Sequence, residues 1–308
     1  MDKKIVTAFF LLLLFALFIF IVGNKKDAVL SMQEVHTPSV EEYDVKELYV
    51  ALTFDYEDVR DNQGGRTLPA IFELLERHNA TATFFVLGVT AEKYPDKIQE
   101  IYSRGYLLGM HTYYHNFPLF DEGEAALIGS IYNYSWDEEW QKSFKSEDAF
   151  YRDLLITQRV IMESISNAYR PRIFRAPSLV VNWTRNPAYF EVLQKAGIEI
   201  DSSIYQDFSN PRPYYMENGV VEIPVVTSEA RLKNVSILTG FADRCAEEEV
   251  PFVMFAHPQK LTPHLLGELD RFLTILEDTY EIRYVTIADI PELYSNTRLG
   301  ITDSAKDF

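Results

Sequence analysis

Short apolar runs alternate along this chain with stretches of helical periodicity, and five of the runs stop on a polar residue capable of chemistry. KELYVALTFDY reaches Asp55, YLLGMH stops on His111, RIFR on Arg175, GIEID on Asp201 and VPFVMFAH on His257. Between them, TLPAIFELLERHNA carries Leu68, Ile71, Phe72, Leu74 and Leu75 at helical spacing, and YRDLLITQRVIMESIS, AYFEVLQKAG and HLLGELDRFLTILEDT read the same way. Buried strands alternating with helices require crossover connections, so the fold class is α/β with a mostly parallel sheet or barrel. In such folds the working residues gather at the carboxyl ends of the strands, which gives the five terminal residues one shared address.

Composition narrows the rest. With 308 residues, 47% of them hydrophobic, the chain can bury one core of catalytic-domain size. A formal charge of −17, with no cluster of Lys or Arg, argues against a nucleic-acid surface. The single cysteine, Cys245, excludes an internal disulfide and a cysteine-rich zinc site, so a bound metal would fall to histidine and carboxylate. Residues 5–23, IVTAFFLLLLFALFIFIVG, carry no charge, and as a helix rising 1.5 Å per residue they would nearly cross a hydrocarbon layer of about 30 Å. They are expected to form an uncleaved membrane anchor, with lysines on both flanks leaving its orientation open. The expected organisation is an anchor over residues 1–26, a linker over 27–46, a catalytic domain over 47–296 and a tail over 297–308. Within the domain, residues 122–150 are acidic and aromatic and read as an insertion over one face.

Two local patterns point to a metal. In HTYYH, His111 and His115 stand four residues apart, which on a helical turn would place both rings on one face and let them reach one cation. In ALTFDYEDVRDNQGG, Asp55, Glu57 and Asp58 crowd the end of the first strand, and one of them would complete a set of two histidines and one carboxylate. Gly64 and Gly65 then let the chain turn away.

From about Leu48 to Leu293 the chain resembles the polysaccharide deacetylase family, the NodB homology group of carbohydrate esterases. TFDYED resembles its first motif and RGYLLGMHTYYH its second, FRAPS its third, and MFAHP its fifth, with DSSIY standing near the fourth. The resemblance implies a distorted (β/α) barrel and metal-dependent removal of N-acetyl, or O-acetyl, groups from a cell-surface or extracellular polysaccharide. It implies that Asp55 is the general base, that Arg175 orients it and that His257 is the general acid. His111 and His115 would bind a divalent metal, zinc by preference. The family's second Asp is replaced by Tyr56, so the third ligand is Asp58 if the chain leaves the strand early, or Glu57 if strand alternation continues; Asp58 is preferred. Pro177 and Asp201 are expected at the substrate, with Trp136 and Trp140 as an aromatic wall for sugar rings.

The anchor and four N-x-S/T sequons, at Asn79, Asn133, Asn182 and Asn234, accord with an extracytoplasmic domain on the cell membrane. Two alternatives stay open at this point: a membrane-tethered carbohydrate-binding protein without turnover, and an amidohydrolase acting on a small non-sugar amide.

Overall fold

The computed structural model describes residues 45–59, 61–121, 123, 125–126, 142–183 and 187–295. The expected anchor, the linker up to residue 44, the C-terminal tail, Trp136 and Trp140 lie outside these residues. No helix among the described residues is long and apolar enough to cross a membrane.

The domain alternates as its sequence does. Strands β1 (Glu47–Tyr56), β2 (Ala82–Val86), β3 (Leu107–Met110), β4 (Ile173–Phe174) and β5 (Ile200–Asp201) follow one another with helices between them: α1 (Gln63–Arg77), α2 (Gly88–Lys93), α3 (Pro95–Ser103), α4 (Glu147–Ile165) and α5 (Ala188–Lys195). A hairpin of β6 (Tyr215–Glu217) and β7 (Val220–Glu222) comes next. It is followed by β8 (Thr227–Ser228), α6 (Val235–Glu247), β9 (Phe252–Ala256), α7 (Pro263–Thr279), β10 (Glu281–Tyr284) and α8 (Ile290–Ser295). Helix α4 begins at Glu147, with the Ser146 hydroxyl accepting from the Ala149 amide, so the expected insertion ends before residue 150.

The strand order is β6-β7-β5-β4-β3-β2-β1-β9-β8, with β10 also paired to β1, and every pairing but the β6–β7 hairpin is parallel. Among the described residues no pairing joins β8 to β6 or β7, so the distorted barrel expected is an open half-barrel. Strands β4 to β8 have only two or three residues each, too few ladder bonds to carry the curl round to closure.

Alternation along β1 sorts its side chains onto two faces. Leu48, Val50, Leu52, Phe54 and Tyr56 join the large core beneath the helices, while Ala51 packs with Phe85, Val253 and Phe255 on the inner face. Thr53 and Asp55 belong to that inner face by the same period. Residues Val285, Ile287, Ile290 and Tyr294 fill the inner face further along, so the interior is a packed core with its polar residues at the carboxyl end.

Candidate active site

Because the strands are parallel, the ends of β1, β3, β4, β5 and β9 deliver Asp55, His111, Arg175, Asp201 and His257 to one edge of the sheet. Four of these five meet in the site. Asp201 lies beneath it.

Arg175 and Asp55 form its buried floor. Arg175 is 0% exposed and Asp55 3%. The guanidinium donates through Nη1 to Asp55 Oδ1 at 2.8 Å and Thr53 Oγ1 at 2.7 Å, through Nε to the Ser202 carbonyl at 2.8 Å, and through Nη2 to Ser202 Oγ at 2.9 Å. Its carbon lies 4.1 Å from the centre of the Phe85 ring, which covers one side of the cation. Gly109 makes room for that ring: a Cβ on it would stand 2.8 Å from Phe85 Cδ1. A charge this deep persists only when its donors are matched, and four bonds with an aromatic face supply the match.

His111 and His115 stand on the loop that follows β3. Thr112 and His115 take left-handed backbone angles, φ 57° and 59°, and fold HTYYH back so that the two rings meet edge to face with centres 5.2 Å apart. The Tyr113 amide, held by Asp153 Oδ1 at 2.9 Å, fastens the middle of the loop to α4. His111 Nδ1 lies 2.8 Å from the Arg175 carbonyl, which can only accept, so Nδ1 carries a proton and Nε2 is the ring nitrogen turned to the site. His111 Nε2 faces Glu57 Oε1 at 3.1 Å, and His115 Nε2 faces the same oxygen at 3.0 Å.

Glu57, not Asp58, therefore joins the histidines. The preference for Asp58 assumed that the chain leaves the strand early, but β1 runs through Tyr56, so alternation carries Glu57 to the side of Asp55. Tyr56 points the other way, is fully buried, and donates to Asn62 Oδ1 at 2.9 Å. Asp58 accepts from the amides of Gly64 at 3.1 Å and Gly65 at 2.8 Å, an anion seated on the first turn of α1. The glycines thus start a helix instead of turning the chain away, and a Cβ on Gly65 would stand 2.7 Å from the Tyr56 hydroxyl. Gln259 Nε2 donates to Glu57 Oε2 at 3.1 Å and turns Oε1 toward the rings.

His257 faces the same oxygen, with Nε2 3.6 Å from Glu57 Oε1, while its Nδ1 donates to Glu229 Oε1 at 2.9 Å. Burial opposes charge on this ring, but the carboxylates of Glu57, Glu229 and Asp55 outweigh it and raise the His257 pKa above the usual imidazole value. Burial pushes His115 the other way, toward the neutral form a ligand needs. Glu57 is pulled well below the usual carboxylate range: burial alone would raise it, and His115 and His257 overcome that.

The remaining expectations fare differently. Asp201 is 0% exposed and committed to internal hydrogen bonds, so it offers nothing to a substrate, and Pro177 is buried too. Glu229 was missed. It follows β8 as Asp55 ends β1, and the polar TSE after the apolar GVVEIPVV was the signal. Thr53, Ser202 and Gln259 carried no such mark, since a hydroxyl or amide beside an apolar run is commonplace.

Set beside known proteins, the chain matches a family model described as polysaccharide deacetylase over residues 42–200, just over half its length. A peptidoglycan-N-acetylglucosamine deacetylase of Bacillus cereus is 44% identical over 66 residues, 21% of this chain and 22% of that protein. The chain thus spans about a fifth of that relative. Another B. cereus protein of the same description is 26% identical over 236 residues, covering 75% of this chain and 88% of its own length. A crystal structure from Mycobacterium smegmatis, described as a polysaccharide deacetylase, shares the fold with a TM-score of 0.63 at 19% identity, over 86% of this chain and 97% of that one.

Proposed function

The chain belongs to the polysaccharide deacetylase family, and on that premise we propose that it is a metal-dependent deacetylase hydrolysing N-acetyl groups of a cell-wall-type polysaccharide, with the peptidoglycan of its curated relatives as the leading substrate. One observation carries the reading: His111 Nε2 and His115 Nε2 converge on a single carboxylate oxygen of Glu57, at 3.1 and 3.0 Å. Two imidazole nitrogens and one carboxylate oxygen, all within 4.8 Å of one another, fit a divalent ion such as zinc and leave positions open for water.

When bound, the metal would polarise the acetyl carbonyl and make a water molecule acidic enough to attack it near neutral pH. The protein's own groups handle the protons. Asp55, fixed by Arg175, takes the proton of the attacking water. His257, kept protonated by the carboxylates around it and oriented by Glu229, gives its proton to the departing amine nitrogen. The products are acetate and a free amino sugar. Residues 5–23 support a domain tethered to the outer side of the cell membrane, where such polymers lie.

The test is acetate release from a panel of N-acetylated glycans, peptidoglycan among them, by the native protein, by chelated and reloaded samples, and by Asp55→Asn. Release lost on chelation, restored by metal and reduced by roughly 10² to 10⁴ in Asp55→Asn is expected. Ammonia released from small amides instead, or no turnover with metal restored, would overturn the proposal.

A further inference from the structure

Beneath Arg175 lies a second polar layer that the chemistry above does not use. Asp201 and Glu222 are direct partners on the adjacent parallel strands β5 and β7, and they are 0% and 1% exposed. Asp201 Oδ1 accepts from the Ser202 amide at 3.0 Å and from Ser203 Oγ at 2.5 Å, and its Oδ2 accepts from the Tyr189 hydroxyl at 2.7 Å. Glu222 Oε1 accepts from the amides of Ser203 at 2.8 Å and Ile204 at 3.2 Å, whereas its Oε2 is buried without a donor. Among the described residues neither acid has an ion pair. Two negative charges cannot stand side by side in such a place. A proton on Glu222 Oε2 removes one of them and lets the orphaned oxygen donate to Asp201. Asp201, with three donors already, is the member that keeps the charge. Burial first, and then the charge of Asp201, hold the Glu222 carboxyl well above its usual range.

This layer is tied to the site by the residues between them. Ser203 Oγ accepts from the Ala176 amide at 2.7 Å, and Ser202 supplies the carbonyl and hydroxyl that hold Arg175 Nε and Nη2. The two acids therefore grip both sides of residues 201–204, which in turn aim the guanidinium at Asp55.

The structure assigns Asp201 and Glu222 the role of a positioning pair: they share one proton and hold Ser202 where it directs Arg175 onto the base. The inference rests on Asp55 being that base. Glu222→Gln keeps an acceptor for Ser203 and Ile204 and a donor for Asp201, and it should leave kcat within about threefold of native. Asp201→Asn replaces the charged acceptor, and acting through Ser202 and Arg175 it should lower kcat by about 10-fold, the low end of what losing a supporting partner costs, with KM and metal content unchanged. The infrared difference spectrum of native protein against Glu222→Gln should show the carbonyl band of a protonated carboxylic acid at neutral pH. No such band, a Glu222→Gln as impaired as Asp201→Asn, or an Asp201→Asn with native kcat would each overturn the inference. The band is read without turnover. If it is present in a protein that releases no acetate, the proposed function falls and the shared proton stands.

Discussion

Replacing Arg175 with methionine should be among the most damaging single changes available to this domain, and the structure says how damaging. Methionine fills most of the volume but removes the cation hydrogen-bonded to Asp55, a residue 3% exposed. Leaving a buried charge unpaired costs about 3–5 kcal/mol. The Ser202 carbonyl loses its donor, which adds about 1 kcal/mol, and the cation stacked on Phe85 adds up to about 1–2. Thr53 contributes little, since its hydroxyl still donates to the Met254 carbonyl at 3.0 Å. The contributions overlap, so about 4–6 kcal/mol is expected, much of the stability of an ordinary domain. Asp55→Asn should cost less, about 3 kcal/mol, the low end of the cost of an unpaired buried charge, because Arg175 loses its counter-charge but keeps its bonds to Ser202 and Thr53. In the double variant the orphaned charge is gone, and a coupling of at least about 2 kcal/mol should appear. Urea unfolding of the four proteins from Val45 onward, compared at constant m-value, measures this directly. A cost below about 1.5 kcal/mol for Arg175→Met, or additivity within about 0.5 kcal/mol, would mean that the pair is not the buried, mutually dependent floor described above.

The other expectations are simpler to state. Glu57→Gln should lose bound divalent metal by elemental analysis, while Asp58→Asn should keep it and lose about 1 kcal/mol of stability through the first turn of α1; equal metal loss in both would return the third ligand to doubt. Glu229→Gln still accepts from His257 Nδ1 but removes one of the charges that raise this imidazole's pKa, so the alkaline limb of the activity profile should move to lower pH. An unmoved limb would disconnect Glu229 from the acid. Burial raises the Asp153 carboxyl to about 7, against the bonds from the Tyr113 amide and Thr157 that favour its charged form. The folded state therefore keeps a proton that the unfolded chain gives up above about pH 4. The stability this proton supplies is complete below that pH and is lost as pH rises through about 7. From pH 5 to 8 the native protein should lose on the order of 2 kcal/mol more than Asp153→Asn, and parallel curves would refute the assignment.

The apolar runs, their alternation with helices and the polar residue closing each run were enough to place Asp55, His111, Arg175 and His257 at one edge of a parallel sheet, because strand direction is a local consequence of crossover connections. The period of two in ELYVALTFDY likewise contained the answer about Glu57, provided that the strand runs through Tyr56. Whether it does was settled elsewhere: β2 pairs with Tyr56 through Val86, and the first turn of α1 draws Asp58 away. The histidine pair was legible in the sequence but the way its rings meet was not, since the left-handed turns at Thr112 and His115 depend on anchors such as Asp153, 40 residues away from Tyr113 in sequence. Glu229 reaches His257 across 28 residues, and Ser202 reaches Arg175 across 27. Such partners are chosen by which strands become neighbours and in what register. A residue's own flanks fix its face and its strand end, but the atom that will hold its charge comes from elsewhere in the chain, and only the folded sheet brings it there.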